Sequence, residues 1–308
     1  MLFKSATHSH KYCVFLWQNT KAMSDRTTSN IQFMGQANDL PQSVKQNILQ
    51  GVAFTSRWYQ QRPGLTETQR SAVADILTHL KIYCSADPMK EVAYDIANGT
   101  VKADREVTRW CKEHPGNFME NQQQTVEAAG GFVTPQIKDP VVMICSESLL
   151  KAQNNALQNP DSKTIQPILD FADIVSHEVA HLVDYRIGAS DQIHQLMTFE
   201  TNYATDPYWD SDKEIYARIA NFRQNFNIDP THVYTEEEVF DLRMQYIDEV
   251  IKLQRELQNA PTKSETIEDI NRFDLRHRTL DQQIFERYTD KEIRDLLNNT
   301  AYQPQPRD

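Results

Sequence analysis

Two histidines and a glutamate stand together in the run His177-Glu178-Val179-Ala180-His181. On a helix, residues four apart lie one turn above each other on the same face, so both imidazoles can reach one metal ion. Glu178, beside the first histidine, can then act as a general base on a water molecule bound to that metal. The HExxH spacing therefore predicts two zinc ligands and a catalytic glutamate, an arrangement typical of zinc peptidases.

The residues around this motif predict a helix with one buried face. Residues 164–185 include no Gly, and their one Pro, Pro167, falls in the first turn, where proline is tolerated. The two histidines fall on a different face from an apolar stripe at helical spacing. The stripe consists of Ile168, Phe171, Val175, Val179 and Leu182. A second interpretation stays open, in which this is an ordinary core helix with two solvent-facing histidines.

A catalytic zinc site needs a third protein ligand and one open position for water. The longer motif HExxHxxGxxH is absent, because Asp184 and Ile187 occupy its glycine and third-histidine positions. Two later glutamates, Glu200 and Glu214, are candidates. Glu214 is preferred, because it opens a predicted helix whose apolar ridge can dock against the core and fix the carboxylate. The ridge consists of Ile215, Ile219, Phe222 and Phe226. Asp184 is a weaker candidate, since its short side chain would have to reach around His181 on an unbroken helix.

Three segments of the sequence together resemble a known family. They are residues 177–185, Tyr208, and the run Glu214-Ile215-Tyr216-Ala217-Arg218. They look like the glutamate-liganded zincins, or gluzincins, and most nearly like lethal-factor-type catalytic domains. The shared pattern is HExxH, an Asp three residues later, and then a Glu-x-aromatic-Ala helix with a tyrosine shortly before it. The resemblance covers residues 177–218 of the 308.

This resemblance implies a zinc ion held by His177, His181 and Glu214, with Glu178 as the base. Two features of the chain keep alternatives open. Ser211-x-x-Glu214 is also a capping box, in which Glu214 would close the first turn of a helix. The ExxxD signature of the wider family is also not met, because Arg218 occupies the position of its acidic residue, which would orient a ligand histidine. Asp184 is then an available substitute for orienting a ligand histidine.

The resemblance also implies a tyrosine hydroxyl that stabilises the oxyanion, and it assigns this role to Tyr208. Tyr208 stands between Pro207 and Trp209, and it could simply pack beside them. Tyr203 and Tyr216 are then the remaining candidates.

Charge and cysteine usage exclude some classes of protein. The formal net charge of -11 argues against nucleic acid or an anionic membrane as the main partner, because both require a basic face. It favours basic or neutral residues beside the scissile bond of a peptide substrate. The four cysteines form no CxxC pair, which indicates that the fold has no disulfide framework.

The pattern along the chain predicts an α+β, mostly helical fold of zincin type, with a small sheet before the HExxH helix and helical flanks. Two short runs bounded by Gly and Pro, residues 130–135 and 140–145, are predicted strands. One of them should form the edge strand that lies along the cleft and pairs with an extended substrate, and the sequence leaves open which. The predicted helices span residues 41–61, 66–85, 89–98, 103–113 and 235–257, with one or two more in 265–298.

The predicted organisation is a flexible leader over residues 1–36, one metallopeptidase domain over 37–300 and a tail over 301–308. Within the domain we expect N-terminal helices over 37–120, a site core over 125–232 and C-terminal helices over 235–299. Heptad-like spacing lasts for only about three heptads in 235–257, which favours packing within a monomer. No signal peptide or transmembrane segment is predicted, so we expect a cytoplasmic protein or one delivered by a non-classical route.

The expected function is that of a zinc-dependent metalloendopeptidase acting on a protein or peptide substrate. Two alternatives belong to other classes. One is a zinc hydrolase of another amide, because HExxH does not by itself define the amide that is cleaved. The other is an inactive zincin-like scaffold that binds partners through its helices. The presence of Glu178 argues against the scaffold, since a structural metal site has no use for a general base.

Overall fold

The computed structural model describes residues 31–118, 131–145, 171–190, 193, 211–259 and 280–298. Within these ranges the chain is α+β and mostly helical with a small sheet, which confirms this part of the predicted fold class. The elements in chain order are β1 (Gln32–Met34), a 3-10 helix (Gly35–Asp39), α1 (Gln42–Gln61), α2 (Glu67–Thr78), β2 (Lys81–Ser85), α3 (Pro88–Asn98), α4 (Arg105–Glu113), β3 (Gly131–Phe132), β4 (Val141–Cys145), α5 (Phe171–Ile187), α6 (Asp212–Asn225), α7 (Glu236–Asn259), α8 (Leu280–Arg287) and α9 (Asp290–Asn298).

The four strands form one sheet in the order β1-β2-β4-β3. Strands β1, β2 and β4 are parallel, whereas β3 runs antiparallel to β4 with Phe132 opposite Met143. The sequence left two runs as candidates for the edge strand near the HExxH helix. The structure places β3 at that edge, in contact with α5, which carries the motif.

The second predicted helix, over residues 66–85, is wrong in its last part. Helix α2 ends at Thr78, and residues 81–85 form β2 in the middle of the sheet. Ile82 and Cys84 face one hydrophobic cluster while Tyr83 faces the other. A strand buried on both faces is apolar throughout, so hydrophobic periodicity does not distinguish it from the continuation of a helix.

The flexible leader predicted for residues 1–36 is too long. Gln32–Met34 forms β1, which pairs with β2 through the register Phe33 to Ile82. Three residues are too few for a period-2 pattern to be visible, so this strand is defined by its pairing with β2. Residues 1–30 lie outside the described part of the chain.

Helices cover both faces of the sheet. One face packs against α3 and α4, and the other packs against the larger cluster formed with α1, α2, α5 and α6. Helix α1 crosses α5 at Gly51, where an added Cβ would lie 2.4 Å from the carbonyl oxygen of Ala172. The side chain of Asn47 accepts a hydrogen bond of 3.0 Å from the backbone N–H of Ala172, in the first turn of α5. The helix with the HExxH motif is therefore fixed by α1 near its described start.

Two buried arginines connect the C-terminal helices to the core. Arg62, at the end of α1, donates to the carbonyl of Leu297 at 2.9 Å, and Arg223, on α6, donates to Leu296 at 3.1 Å. Both guanidinium groups also lie over the ring of Trp58. Cations are favourable at the negative end of a helix, so these contacts hold the last turn of α9 against α1 and α6.

Cys84, Cys111 and Cys145 are buried free thiols, as expected for a fold without a disulfide framework. Cys13 lies outside the described residues. Within the described residues, none of the helices combines the length and the apolar character that crossing a membrane requires.

Candidate metal centre

Helices α5 and α6 bring three potential metal ligands together. His177 and His181 lie one turn apart on α5, and Glu214 lies in the first turn of α6. The two Nε2 atoms are 3.2 Å apart. The carboxylate oxygens of Glu214 lie 3.5 Å from Nε2 of His177 and 3.4 Å from Nε2 of His181. These three residues, the ligand group, are largely buried and could hold a metal ion.

These atoms lie close enough together to bind one metal ion. Metal–ligand bonds of about 2.0–2.1 Å at tetrahedral angles place neighbouring ligand atoms about 3.3 Å apart. The two Nε2 atoms, at 3.2 Å, lie close to that value. Each of them also faces a different oxygen of Glu214, Oε2 at 3.5 Å from His177 and Oε1 at 3.4 Å from His181. With one ligand atom taken from each residue, all three lie within 4.8 Å of one another. Two imidazoles and one carboxylate are also a donor set of catalytic zinc sites, which keep a fourth position open.

The structure distinguishes the two roles that the sequence allowed for Glu214. Ser211 is the N-cap of α6, and its hydroxyl accepts a hydrogen bond from the backbone N–H of Glu214 at 3.4 Å. A capping box would also need the Glu214 carboxylate to accept from the backbone N–H of Ser211. The carboxylate instead faces His177 and His181. The cap therefore positions Glu214, and its side chain remains available as a ligand.

Asn221, two turns after Glu214 on α6, orients the first histidine. Its NH₂ group donates to the carbonyl of Asp173 at 2.7 Å and to the hydroxyl of Ser176 at 3.1 Å. A carbonyl oxygen can only accept, so this pairing fixes the amide orientation and leaves Oδ1 facing Nδ1 of His177 at 3.1 Å. Nδ1 then carries the proton, and the lone pair of Nε2 points toward the other ligands.

Asn221 was not predicted from the sequence, and Asp184 was the candidate for orienting a ligand histidine. Asp184 is buried, but its carboxylate accepts hydrogen bonds from the backbone N–H and the hydroxyl of Ser190, at 2.5 and 2.9 Å. It thus stabilises the turn after α5. Its effect on His181 is electrostatic, because its negative charge favours the protonated ring.

His181 and Glu214 shift each other's pKa. Burial would raise the pKa of Glu214, but hydrogen bonds and charges from His177 and His181 outweigh it and hold that pKa well below its usual range. Burial would lower the pKa of His181, but the hydrogen bond to Glu214 and the nearby carboxylates outweigh it and raise that pKa. A positive charge on His181 and a negative charge on Glu214 therefore stabilise each other.

Glu178 lies beside this group without belonging to it. Its side chain is buried, with 7% of the residue exposed. Burial raises the pKa of Glu178, and the charge of Glu214 adds to this, while the charges of His177 and His181 partly offset it. A carboxylate whose pKa lies above its usual value is a better proton acceptor, which suits a general base.

Several other residues singled out in the sequence now have a position. Tyr216 is buried and its hydroxyl is hydrogen-bonded to that of Tyr59 on α1, which gives it a partner away from the ligand group. Arg218 is fully buried rather than exposed to a substrate. Tyr208, Tyr203 and Glu200 lie outside the described residues. The apolar ridge of Ile215, Ile219 and Phe222 packs into the core, as the sequence indicated.

Tyr185 extends the same face of α5 by one more turn, and the sequence analysis did not give it a role. Its ring stacks against that of His181 with 6.3 Å between centroids, and the ammonium of Lys213 lies 5.2 Å from its centroid. Burial raises the pKa of Tyr185 to about 12, so its hydroxyl stays protonated at neutral pH. The i, i+4 spacing after His181 is the signal that would have identified it.

Comparison with protein-family models, with curated proteins and with solved structures finds no match for this chain. The inference of a metal site therefore rests on the geometry of this chain's own residues.

The raised pKa of His181 leads to a pH-dependence for metal binding. Below that pKa the ring carries a proton that a metal ion must displace, so we expect zinc affinity to rise with pH through this range and to level off above it. Calorimetric titration with Zn²⁺ in buffers of different ionisation enthalpy counts the protons released. His232→Gln is a matched control that should leave the pH dependence of zinc affinity unchanged, because His232 pairs with Glu238 in an exposed site. An affinity that does not change with pH would contradict the assignment of His181 as a ligand.

The contact between Asn221 and His177 leads to a second prediction. We expect Asn221→Ala to weaken zinc binding by about 10- to 100-fold, because His177 loses the acceptor that fixes its tautomer and ring orientation. Gln224→Ala is the control, since Gln224 lies on the same helix and donates to Asp173 at 2.9 Å without contacting a ligand. Equal zinc affinities in the two variants, measured by competition with a chelator, would show that Asn221 has only a structural role.

Proposed function

We propose that this protein is a zinc-dependent endopeptidase. One observation carries the proposal, namely the convergence of His177, His181 and Glu214 within reach of one metal ion, with the buried side chain of Glu178 beside them. A structural site would need a fourth protein ligand, whereas the three ligands found among the described residues leave a position open. A base next to an open position is the arrangement that hydrolysis requires.

In this proposal each residue has a distinct task. When bound, zinc supplies Lewis acidity, which lowers the pKa of a water molecule toward about 7 and polarises the scissile carbonyl. Glu178 accepts the proton of the attacking water and donates it to the leaving amine. Asn221 keeps Nδ1 of His177 protonated and so keeps Nε2 available. Ser211 and the buried ridge of α6 keep Glu214 in place.

The edge strand supports an extended peptide as the substrate. Strand β3 pairs with β4 on one side and contacts α5, and in the described residues no strand pairs with its other side. A free strand edge can bind an extended backbone through main-chain hydrogen bonds. In this proposal a peptide adds to β3 and its scissile bond lies over the ligand group. The acidic chain favours basic or neutral residues beside that bond.

The test is a cleavage profile against a peptide library made from a whole proteome. Zinc-loaded protein should cut internal peptide bonds, a chelator should abolish the cuts, and added Zn²⁺ should restore them. Strict selection for acidic residues on both sides of the cut would refute the electrostatic argument. If the zinc-loaded protein cuts no peptide, the proposed function is wrong. Cleavage of other amides, such as peptidoglycan cross-links, would then point to the second class of hydrolase.

A further inference from the structure

Gly131, the first residue of β3, lies directly against Glu178 and Ile174 of α5. A Cβ added at Gly131 would lie 2.6 Å from Cγ2 of Ile174, 2.8 Å from Oε1 of Glu178 and 3.0 Å from Cγ of Glu178. Side-chain contacts below 3.0 Å are essentially never formed by real Cβ atoms. A side chain at residue 131 would therefore require the side chains of Ile174 and Glu178 to shift.

Two of the three atoms nearest to this position belong to Glu178. The backbone of β3 is held in place by its pairing with β4, where Gly131 lies opposite Ile144. Ile144 and Ile174 are both buried in the core, so neither side of this contact can move away easily. The backbone of β3 at Gly131 therefore packs against one side of the Glu178 side chain.

We infer that Gly131 is a positioning residue for Glu178. The glycine allows the β3 backbone to pack on the glutamate, which limits the conformations of its side chain and sets the place of its carboxylate. The catalytic meaning of this contact rests on the proposed function, whereas the contact itself does not. Catalytic groups need to be held to within about 0.5 Å, and a displacement of about 1 Å costs about 100-fold in rate. To reach an ordinary contact of 3.4 Å with a methyl group at residue 131, Oε1 of Glu178 would have to move by about 0.6 Å, which exceeds that tolerance.

The contact can be tested without activity or metal, by a double-mutant cycle on the metal-free protein. Urea unfolding gives the midpoints of wild type, Gly131→Ala, Glu178→Ala and the double variant. We expect Gly131→Ala to lower the midpoint. In the Glu178→Ala background the same change should lower it by less, because two of the three close contacts are gone while the contact with Ile174 remains. If Gly131→Ala does not fold alone, the double variant should restore folding.

Gly51→Ala provides a matched control for this cycle. An added Cβ at Gly51 would also be too close to α5, but to backbone atoms of Ala172 rather than to Glu178. The effects of Gly51→Ala and Glu178→Ala on the midpoint should therefore simply add. An equal loss from Gly131→Ala in both backgrounds would overturn the inference and leave Ile174 as the residue that requires glycine.

The second test separates positioning from general damage in the zinc-loaded enzyme. Gly131→Ala should retain the zinc content of wild type, because Gly131 does not contact the ligand group. We expect kcat to fall by about 100-fold while KM changes by no more than a few-fold. Gly116→Ala, compared at the same fraction folded, should keep kcat near the wild-type value, because an added Cβ there would meet Tyr94 of α3 rather than α5. A kcat for Gly131→Ala within about threefold of wild type would overturn the positioning role.

The two tests distinguish failure of this inference from failure of the proposed function. If wild-type protein cuts no peptide but the cycle shows coupling between Gly131 and Glu178, the proposed function is wrong and the contact is real. If wild type is active and the cycle shows no coupling, this inference is wrong and the proposed function is unaffected.

Discussion

Replacing Glu178 with glutamine is expected to leave zinc binding intact and to slow peptide cleavage by about 100- to 10,000-fold, the range of a general acid–base group. Glutamine has nearly the same shape, so it should fill the same space beside Gly131. Its amide cannot take the proton of the attacking water. Glu178 also does not belong to the ligand group, so the ion should remain. Zinc content per chain and kcat/KM on a cleaved peptide measure the two effects.

Glu238→Gln is the matched control for this prediction. Glu238 is also a glutamate that lies close to a histidine, His232, but the pair is exposed and lies on the N-terminal side of α7. This variant should cleave at the wild-type rate. If Glu178→Gln also cleaved at close to the wild-type rate, Glu178 would not be the base. If it lost its zinc, the loss of activity would have to be explained by the metal instead.

Replacing Glu214 with alanine is expected to weaken zinc binding by more than about 100-fold, the upper end of what the loss of a second-shell partner costs. The variant loses a ligand, and it also loses the negative charge that balances His177 and His181. Chelator competition measures the affinity, and zinc-dependent stabilisation against heat gives an independent value.

Two further variants exclude the alternatives for this position. Ser211→Ala removes the N-cap of α6 and should lower stability by about 1 kcal/mol, yet it should leave zinc affinity close to that of wild type. Glu200→Ala tests the other candidate ligand named in the sequence. Loss of zinc in Glu200→Ala with retention in Glu214→Ala would reverse the assignment. Equal loss in Ser211→Ala and Glu214→Ala would mean that the effect comes from the fold of α6.

The ligand group could be predicted because its main signals are local. His177 and His181 are one helical turn apart, so their spacing in sequence almost determines their spacing in space. Glu214 needed more information, since it lies on another helix. The pattern after it, with a buried ridge at Ile215, Ile219 and Phe222, indicated that α6 would dock against the core and hold the carboxylate rigidly. The structure agrees on that packing.

The residues that orient the ligand side chains could not be predicted, because their contacts depend on how α5 and α6 pack. Asn221 is separated from His177 by 44 residues, and its role follows from the rotation of α6 about its own axis. Asp184 lay at the right helical spacing from His181 and was chosen for that reason. Its carboxylate instead binds Ser190 in the turn that follows α5. Local spacing places a side chain on a face but does not determine which of two polar partners it selects.

The sheet shows the limits of periodicity in the same way. The continuous apolar run of β4 between Gly and Pro signals was predicted as a strand. The run of β2, which follows α2 after only two residues, was predicted as helix. Glycine at position 131 could be read as a strand boundary, but its contact with Glu178 depends on the antiparallel pairing of β3 with β4. The contact between Gly131 and Glu178 forms only when the sheet packs on α5, so no local stretch of sequence reveals it.

X-ray absorption at the zinc edge is the most direct measurement of the metal centre on which this account depends. Protein reconstituted with one equivalent of Zn²⁺ should show four light ligands at about 2.0–2.1 Å, with the multiple scattering of two imidazoles. In Glu214→Ala the contribution of one oxygen ligand should be lost or replaced by water. A zinc ion that binds without imidazole scattering, or a sulfur shell near about 2.3 Å, would contradict the site formed by His177, His181 and Glu214.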